Sequence, residues 1–170
     1  MKLNFHDELP SFYLSLTDSE ITNRYGKQAI KEINAIRQYL NNKGNHTQIK
    51  SSHEAAKLIR HFCAFSSVEK FCVVYLNNAN KVIQAEIAST GTQTACLVSI
   101  PMICKTALLL NARSVIVGHN HPSGNKKPSE ADITIVKKLS TALSTLELTL
   151  LDSLIVTPED CLSFADEGLM

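Results

Sequence analysis

No run in this 170-residue chain approaches the ~20 consecutive apolar residues that a membrane-crossing helix requires, which leaves no candidate span and predicts no membrane partner. The opening residues, Met1-Lys2-Leu3-Asn4-Phe5-His6-Asp7-Glu8, lack the apolar core of a signal peptide. The five cysteines (Cys63, Cys72, Cys96, Cys104 and Cys161) form no C-x-x-C pair and are odd in number. That argues against a disulfide framework and predicts reduced, mostly buried thiols in a reducing compartment, the cytoplasm. A large charge imbalance is also missing: the formal net charge of +1 excludes a strongly basic nucleic-acid coat and an acidic tail, but leaves local patches open. Internal repeats and low-complexity segments are absent as well.

What is present fits a soluble globular domain, with 44% hydrophobic and 19% charged residues. A chain of this length buries a core of its own and needs no metal merely to fold, so a metal site in it would be functional. Residues 1–16 read as an irregular arm. Thr17-x-x-Glu20 then forms a capping box, and Ile21, Tyr25, Ala29, Ile33, Ile36 and Leu40 follow at helical spacing. The breakers at residues 41–45 end that helix, so a boundary is expected near residues 42–50, with an arm and helical extension over 1–48 and a sheet domain over 49–170.

Ser51-x-x-Glu54 opens a second helix, through about Phe62. The apolar run Phe71–Leu76 predicts a buried strand, Asn77-Asn78-Ala79-Asn80 a turn, and Lys81 to Ala88 the returning strand. Pro101 opens a helix to about Asn111, Arg113–Gly118 is a strand, Ser129 starts a long helix to about Thr145, and Leu148–Val156 is a further strand. This order predicts an α+β fold with a central mixed sheet flanked by helices and an N-terminal helical extension.

The stretch from Val117 to Asp132 carries the chemistry. His119 and His121 stand one residue apart on extended backbone, which turns both to one side. They leave the C-terminal end of an apolar strand, which predicts a place at a sheet edge and not inside the core. The Pro122-Ser123-Gly124 turn and the Lys126-Lys127 loop reverse the chain, and Asp132 falls in the first turn of the helix that Ser129 begins. Two histidines and one carboxylate suit zinc with water in the fourth position, and an open position marks a catalytic site. The plainer alternative is that Ser129-x-x-Asp132 is only a helix cap with a favourable first-turn carboxylate. The letters His-Asn-His also invite a nuclease reading, but those nucleases spread the residues along a much longer hairpin-helix unit.

H-x-H, seven residues, then S-x-x-D resembles the signature of the JAMM (MPN+) metalloproteases. The fuller string His119-Asn120-His121-Pro122-Ser123-Gly124, with Pro128-Ser129 and Asp132, is similar to the RadC subgroup, long described as DNA-repair proteins. Gly91-Thr92, Ala107-Leu108 before Asn111-Ala112, and Leu151-Asp152 before Ile155-Val156 agree with it. The resemblance covers about residues 51–170 and implies an MPN-type fold with cytidine-deaminase-like layering.

The resemblance further implies His119, His121 and Asp132 as zinc ligands, and Ser129 as the hydroxyl that steadies a tetrahedral intermediate. It also requires a glutamate general base on an earlier strand. That role is assigned to Glu69, ahead of Phe71, with Glu86 on the second strand as the competitor. The implied activity is zinc-dependent cleavage of peptide or isopeptide bonds in a protein or peptide substrate. The other reading is a nucleic-acid-associated or scaffolding module that keeps the metal without peptidase activity.

Three features depart from the family pattern. Pro101-Met102-Ile103 stands where RadC-like proteins usually carry Pro-Arg-Glu, and Asp152-Ser153 replaces an Asp-His pair. Tyr25-Gly26-Lys27-Gln28-Ala29 resembles only one Gly turn of the helix-hairpin-helix region that full-length members carry, which suggests a truncated or repurposed front end. Residues 18–60 hold eight basic against four acidic side chains, a mild bias that reads first as the solvated face of helices and only permits DNA contact.

Overall fold

The computed structural model describes residues 48–64, 66–91 and 98–170, all within a compact unit spanning His46–Met170. The arm, the helix expected to Leu40, the Gly turn at Tyr25–Ala29 and most of the boundary segment lie outside the described residues, as does Cys96. The described chain runs α1 (Ser52–Cys63), β1 (Lys70–Leu76), β2 (Val82–Thr90), α2 (Ile100–Leu109), β3 (Ser114–Asn120), α3 (Glu130–Thr145), β4 (Thr149–Val156) and β5 (Cys161–Ser163). The five strands form one mixed sheet in the order β2-β1-β3-β4-β5. This is the expected α+β fold.

Local chemistry sets the ends of the elements. Ser51 Oγ accepts the Glu54 backbone N–H at 3.2 Å, while the Glu54 carboxylate takes the N–H of Lys50 at 2.7 Å. The Glu54 amide is a donor that the first helical turn leaves unpaired, and the Lys50 bond ties the residue before the cap to that turn. At the β1–β2 turn, Asn77 Oδ1 accepts the N–H groups of Ala79 and Lys81, and Asn80 takes a left-handed φ of 53°. A short polar side chain tolerates that conformation best.

β1 pairs antiparallel with β2 and β3, and β4 pairs antiparallel with β5. β3 and β4 are parallel, so the chain must cross over between them, and α3 is that crossover. One sheet face presents Phe71, Val73 and Tyr75 of β1 with Val115 and Val117 of β3. It packs against Ile103, Cys104 and Ala107 of α2 and Val136, Leu139 and Leu143 of α3. Each fully buried leucine there contributes about 1.5–3 kcal/mol. α1 covers the opposite face, with Ile59 resting over Gly118. Cys63, Cys72 and Cys104 are buried thiols and Cys161 is partly exposed. Among the described residues no helix is long and apolar enough to cross a membrane.

The structure corrects two points. The strand expected to stop at Gly118 continues to Asn120, so His119 is not at the sheet edge. It lies in the central strand with 2% of its surface exposed, because Phe71 of β1 and Ile155 of β4 pair with it from either side. The three-residue β5 was not anticipated, since a segment so short has no readable periodicity.

Candidate metal centre

The crossover from β3 through α3 builds the site. Alternation along β3 puts His119 on the same face as Val115 and Val117, the face that α3 covers. α3 starts at the C-terminal end of β3 and returns Asp132, in its first turn, over the histidines. β1 supplies the third side. Its antiparallel register pairs Phe71 with His119, and continuing that register by two residues sets Glu69 opposite His121. One ligand-type atom from each of Glu69, His119, His121 and Asp132 falls within 4.8 Å of the other three.

The imidazoles face each other, with His119 Nε2 and His121 Nε2 3.0 Å apart. Asp132 Oδ1 is 3.1 Å from His119 Nε2, and its Oδ2 is 3.5 Å from His121 Nε2. His121 Nδ1 lies 2.6 Å from the carbonyl oxygen of Asn125. A carbonyl only accepts, so Nδ1 carries a proton, which leaves Nε2 as the nitrogen that would bind a metal once its own proton is displaced. Phe71 stacks on His119 at 6.2 Å between ring centres and 10° between planes, which fixes the plane of the buried ring. His119 Nδ1 is buried without a hydrogen-bond partner.

Ser129 organises Asp132. Its Oγ accepts the Asp132 backbone N–H at 3.1 Å, and its own N–H and O–H both donate to Asp132 Oδ2, at 2.7 and 2.6 Å. The cap foreseen as the plainer reading is therefore present, and it leaves Oδ1 turned to His119. Burial by itself would raise the Asp132 carboxyl. Hydrogen bonds from His119 and His121, and then Ser129, outweigh burial and hold it well below the usual carboxylate range. The hydrogen bond to Asp132 raises His121 against the opposing effect of burial, helped by Asn125.

Two imidazole nitrogens and an ionised carboxylate gathered round one point are three electron-pair donors facing inward, which fits a cation. Tetrahedral zinc with bonds of about 2.0–2.1 Å would set such donors about 3.3 Å apart, close to the separations seen here. The residues present therefore fit a metal ion of that kind. Glu86 lies apart from this group. It accepts hydrogen bonds from the Tyr75 hydroxyl at 2.9 Å and from Gln84 Nε2 at 3.0 Å. Lys126, in the loop beside the histidines, is paired with Asp160 of the β4–β5 turn, and Lys127 is exposed. Of the family departures, Met102 is exposed on α2. Asp152 is buried and accepts hydrogen bonds from Ser163 Oγ and from the backbone N–H groups of Ser153 and Ala165.

Sequence reasoning passed over two contributors. The Asn125 carbonyl carries no side-chain signature at all. Asn120 was visible only as the middle letter of the motif, and its contacts are made with residues about fifty positions earlier.

Comparison with known proteins agrees with this geometry. The family model described as the RadC-like JAB domain matches residues 49–169. The UPF0758 protein PSHAa2643 of Pseudoalteromonas translucida is 44% identical over 102 residues, covering 60% of this chain and 46% of that protein. A UPF0758 protein of Flavobacterium johnsoniae is 38% identical over 122 residues, covering 72% of this chain and 53% of its own length. The chain thus spans about half the length of these relatives. The UPF0758 protein YkfG of Escherichia coli is 34% identical over 157 residues, which cover 92% of this chain and 98% of YkfG. On the match of this domain across the sheet and its metal-type cluster, the chain belongs to the RadC-like branch of the JAB/MPN family.

Proposed function

We propose that this protein is a zinc-dependent hydrolase of the JAMM type that cleaves peptide or isopeptide bonds. The observation that carries the reading is the convergence of His119, His121 and Asp132 on one point, with the Glu69 carboxylate beside them. In this reading the two Nε2 atoms and Asp132 Oδ1 hold the ion. Bound zinc supplies Lewis acidity, lowering the pKa of water toward ~7 and polarising a carbonyl.

Glu69 is half-buried at the start of β1, close enough to the ligand set to take a proton from water and pass it to the leaving amine. Ser129 holds Asp132 through its hydroxyl. For that O–H to donate to a developing oxyanion it must turn away from Asp132, and the backbone N–H of Ser129 keeps the carboxylate in place when it does. The substrate class comes from the JAMM resemblance: a carbonyl with an amine leaving group, presented by a protein or peptide.

The test is metal analysis of the purified full chain together with digestion of peptide and isopeptide-linked libraries, using wild type and Glu69→Gln. One zinc per chain in both proteins and cleavage by wild type alone is the expected result. Absence of zinc in the wild type overturns the metal reading. Equal cleavage by Glu69→Gln overturns the assignment of the base.

A further inference from the structure

We infer that Asn120, the residue between the two histidines, is a positioning residue that aims Glu69 at the metal centre. This inference rests on the hydrolase reading above. Asn120 points to the opposite side of β3 from His119 and His121, and only 1% of its surface is exposed. Lys70 N–H donates to its Oδ1 at 2.8 Å. Its Nδ2 donates to the carbonyls of Ser66 at 3.2 Å and Val68 at 3.1 Å. Lys70 N–H can only donate and the two carbonyls can only accept, so the amide has one permitted orientation and uses both of its N–H groups.

These contacts bracket Glu69. The backbone ladder between β1 and β3 runs as far as Phe71 opposite His119, and Glu69 lies just past that end. There the Asn120 side chain takes the place of the ladder, gripping the carbonyl before Glu69 and the N–H after it. On the other side, Gly91 N–H donates to the Glu69 carbonyl at 2.8 Å. The Glu69 backbone is therefore tied to β3 through one amide side chain and to the end of β2 through one hydrogen bond. Its carboxylate is left to face His121. A loop residue without the Asn120 grip would spread over several rotamers and backbone positions, and a displacement of about 1 Å at a proton-transfer group costs on the order of 100-fold in rate.

The same residue links both halves of the motif. His119 and His121 look toward α3 and offer nitrogen to the ion, while Asn120 looks toward the segment after α1 and secures the base. A serine or threonine at position 120 could not span three backbone groups, because neither carries two donors and an acceptor at amide reach.

The experiment compares wild type, Asn120→Ala, Asn120→Asp, Glu69→Gln and the Asn120→Ala/Glu69→Gln double variant as full chains. Zinc affinity is measured by chelator competition, hydrolysis on the substrate found above, and amide hydrogen exchange at Lys70. Asn120→Ala is expected to hold zinc within about 3-fold of wild type and to lose at least about 10-fold in kcat. Lys70 is expected to exchange at least about 10-fold faster. The double variant is expected to be no slower than Glu69→Gln alone, because the two changes remove one function.

A double variant slower than Glu69→Gln by the full Asn120→Ala factor, or wild-type turnover in Asn120→Ala, overturns the inference. Asn120→Asp keeps the size and the acceptor for Lys70 but sets an oxygen against two carbonyls, and it serves where Asn120→Ala does not melt cooperatively. If wild type hydrolyses nothing, the hydrolase reading fails separately. Lys70 exchange in Asn120→Ala, which removes the acceptor, then decides the positioning: faster exchange supports it and unchanged exchange overturns it.

Discussion

Replacing Gly118 with alanine tests the packing that sets His119 in place. Gly118 precedes His119 in β3 and faces α1. A methyl at its Cβ would stand 2.9 Å from both Ile59 Cδ1 and Ile59 Cγ2, and 2.9 Å from the carbonyl oxygen of Leu154. Carbon atoms settle at about 3.5–4.0 Å, so the overlap is on the order of 0.6 Å or more. Ile59 has no exposed surface through which to withdraw. The Leu154 carbonyl belongs to the β4 residue paired with Gly118 and moves only if β3 and β4 part.

Overpacking of this kind costs about 1–3 kcal/mol. At roughly 4 °C per kcal/mol for a unit of this size, the expected loss of Tm is about 4–12 °C. Thermal melts of zinc-free protein read this directly. Ile59→Ala, which alone costs about 2–5 kcal/mol, makes room for the new methyl, so the double variant should be more stable than the sum of the singles. A Tm for Gly118→Ala within about 1 °C of wild type, or strict additivity in the double variant, refutes the reasoning.

Further outcomes follow from the same geometry. Chelation of zinc-loaded protein should lower Tm by roughly 10 °C, the equivalent of about 2.7 kcal/mol at a hundredfold excess of zinc over Kd, while circular dichroism at 25 °C keeps its secondary structure; collapse of that signal would mark a structural metal instead. Burial raises the Asp152 carboxyl above its ordinary value despite hydrogen bonds from Ser163, Ala165 and Ser153. A carboxyl raised on folding stabilises fully below its unfolded pKa and loses that contribution as pH climbs through the raised native value, so denaturation midpoints just above the ordinary carboxylate range should fall less steeply with pH in Asp152→Asn than in wild type; parallel curves would contradict this. Ser153 is fully buried with an unpartnered Oγ, so Ser153→Ala should leave the urea midpoint unchanged or raise stability by up to about 1 kcal/mol, and a clear loss would reveal a hidden hydrogen bond.

The parts of the fold that were legible in the sequence are those governed by local chemistry. Ser51 and Glu54 mark the start of α1, the asparagines at 77–80 mark a tight turn, and the apolar run at 71–76 marks a strand buried on both faces. β5 escaped because its three residues acquire strand character only by pairing with β4. The extent of β3 was misjudged for a related reason: polar letters at 119 and 120 look like the end of a strand until flanking strands are seen to pair with them.

The sequence by itself determined the donor types and their local geometry. Two imidazoles at i and i+2 on extended backbone share a face, and a carboxylate at the third position of a helix capped by Ser129 lies in its first turn. Both follow from backbone periods that hold wherever the elements sit. Only the tertiary structure decided between Glu69 and Glu86 as the neighbour of that cluster, since both lie ahead of the motif in comparable strand contexts. Antiparallel register is a contact between distant segments: Phe71 opposite His119 carries Glu69 toward His121, while Val73 opposite Glu86 leaves Glu86 with Tyr75. A slip of one residue would turn every side chain of β1 to the other face, and a single sequence contains no local term that fixes such a pairing.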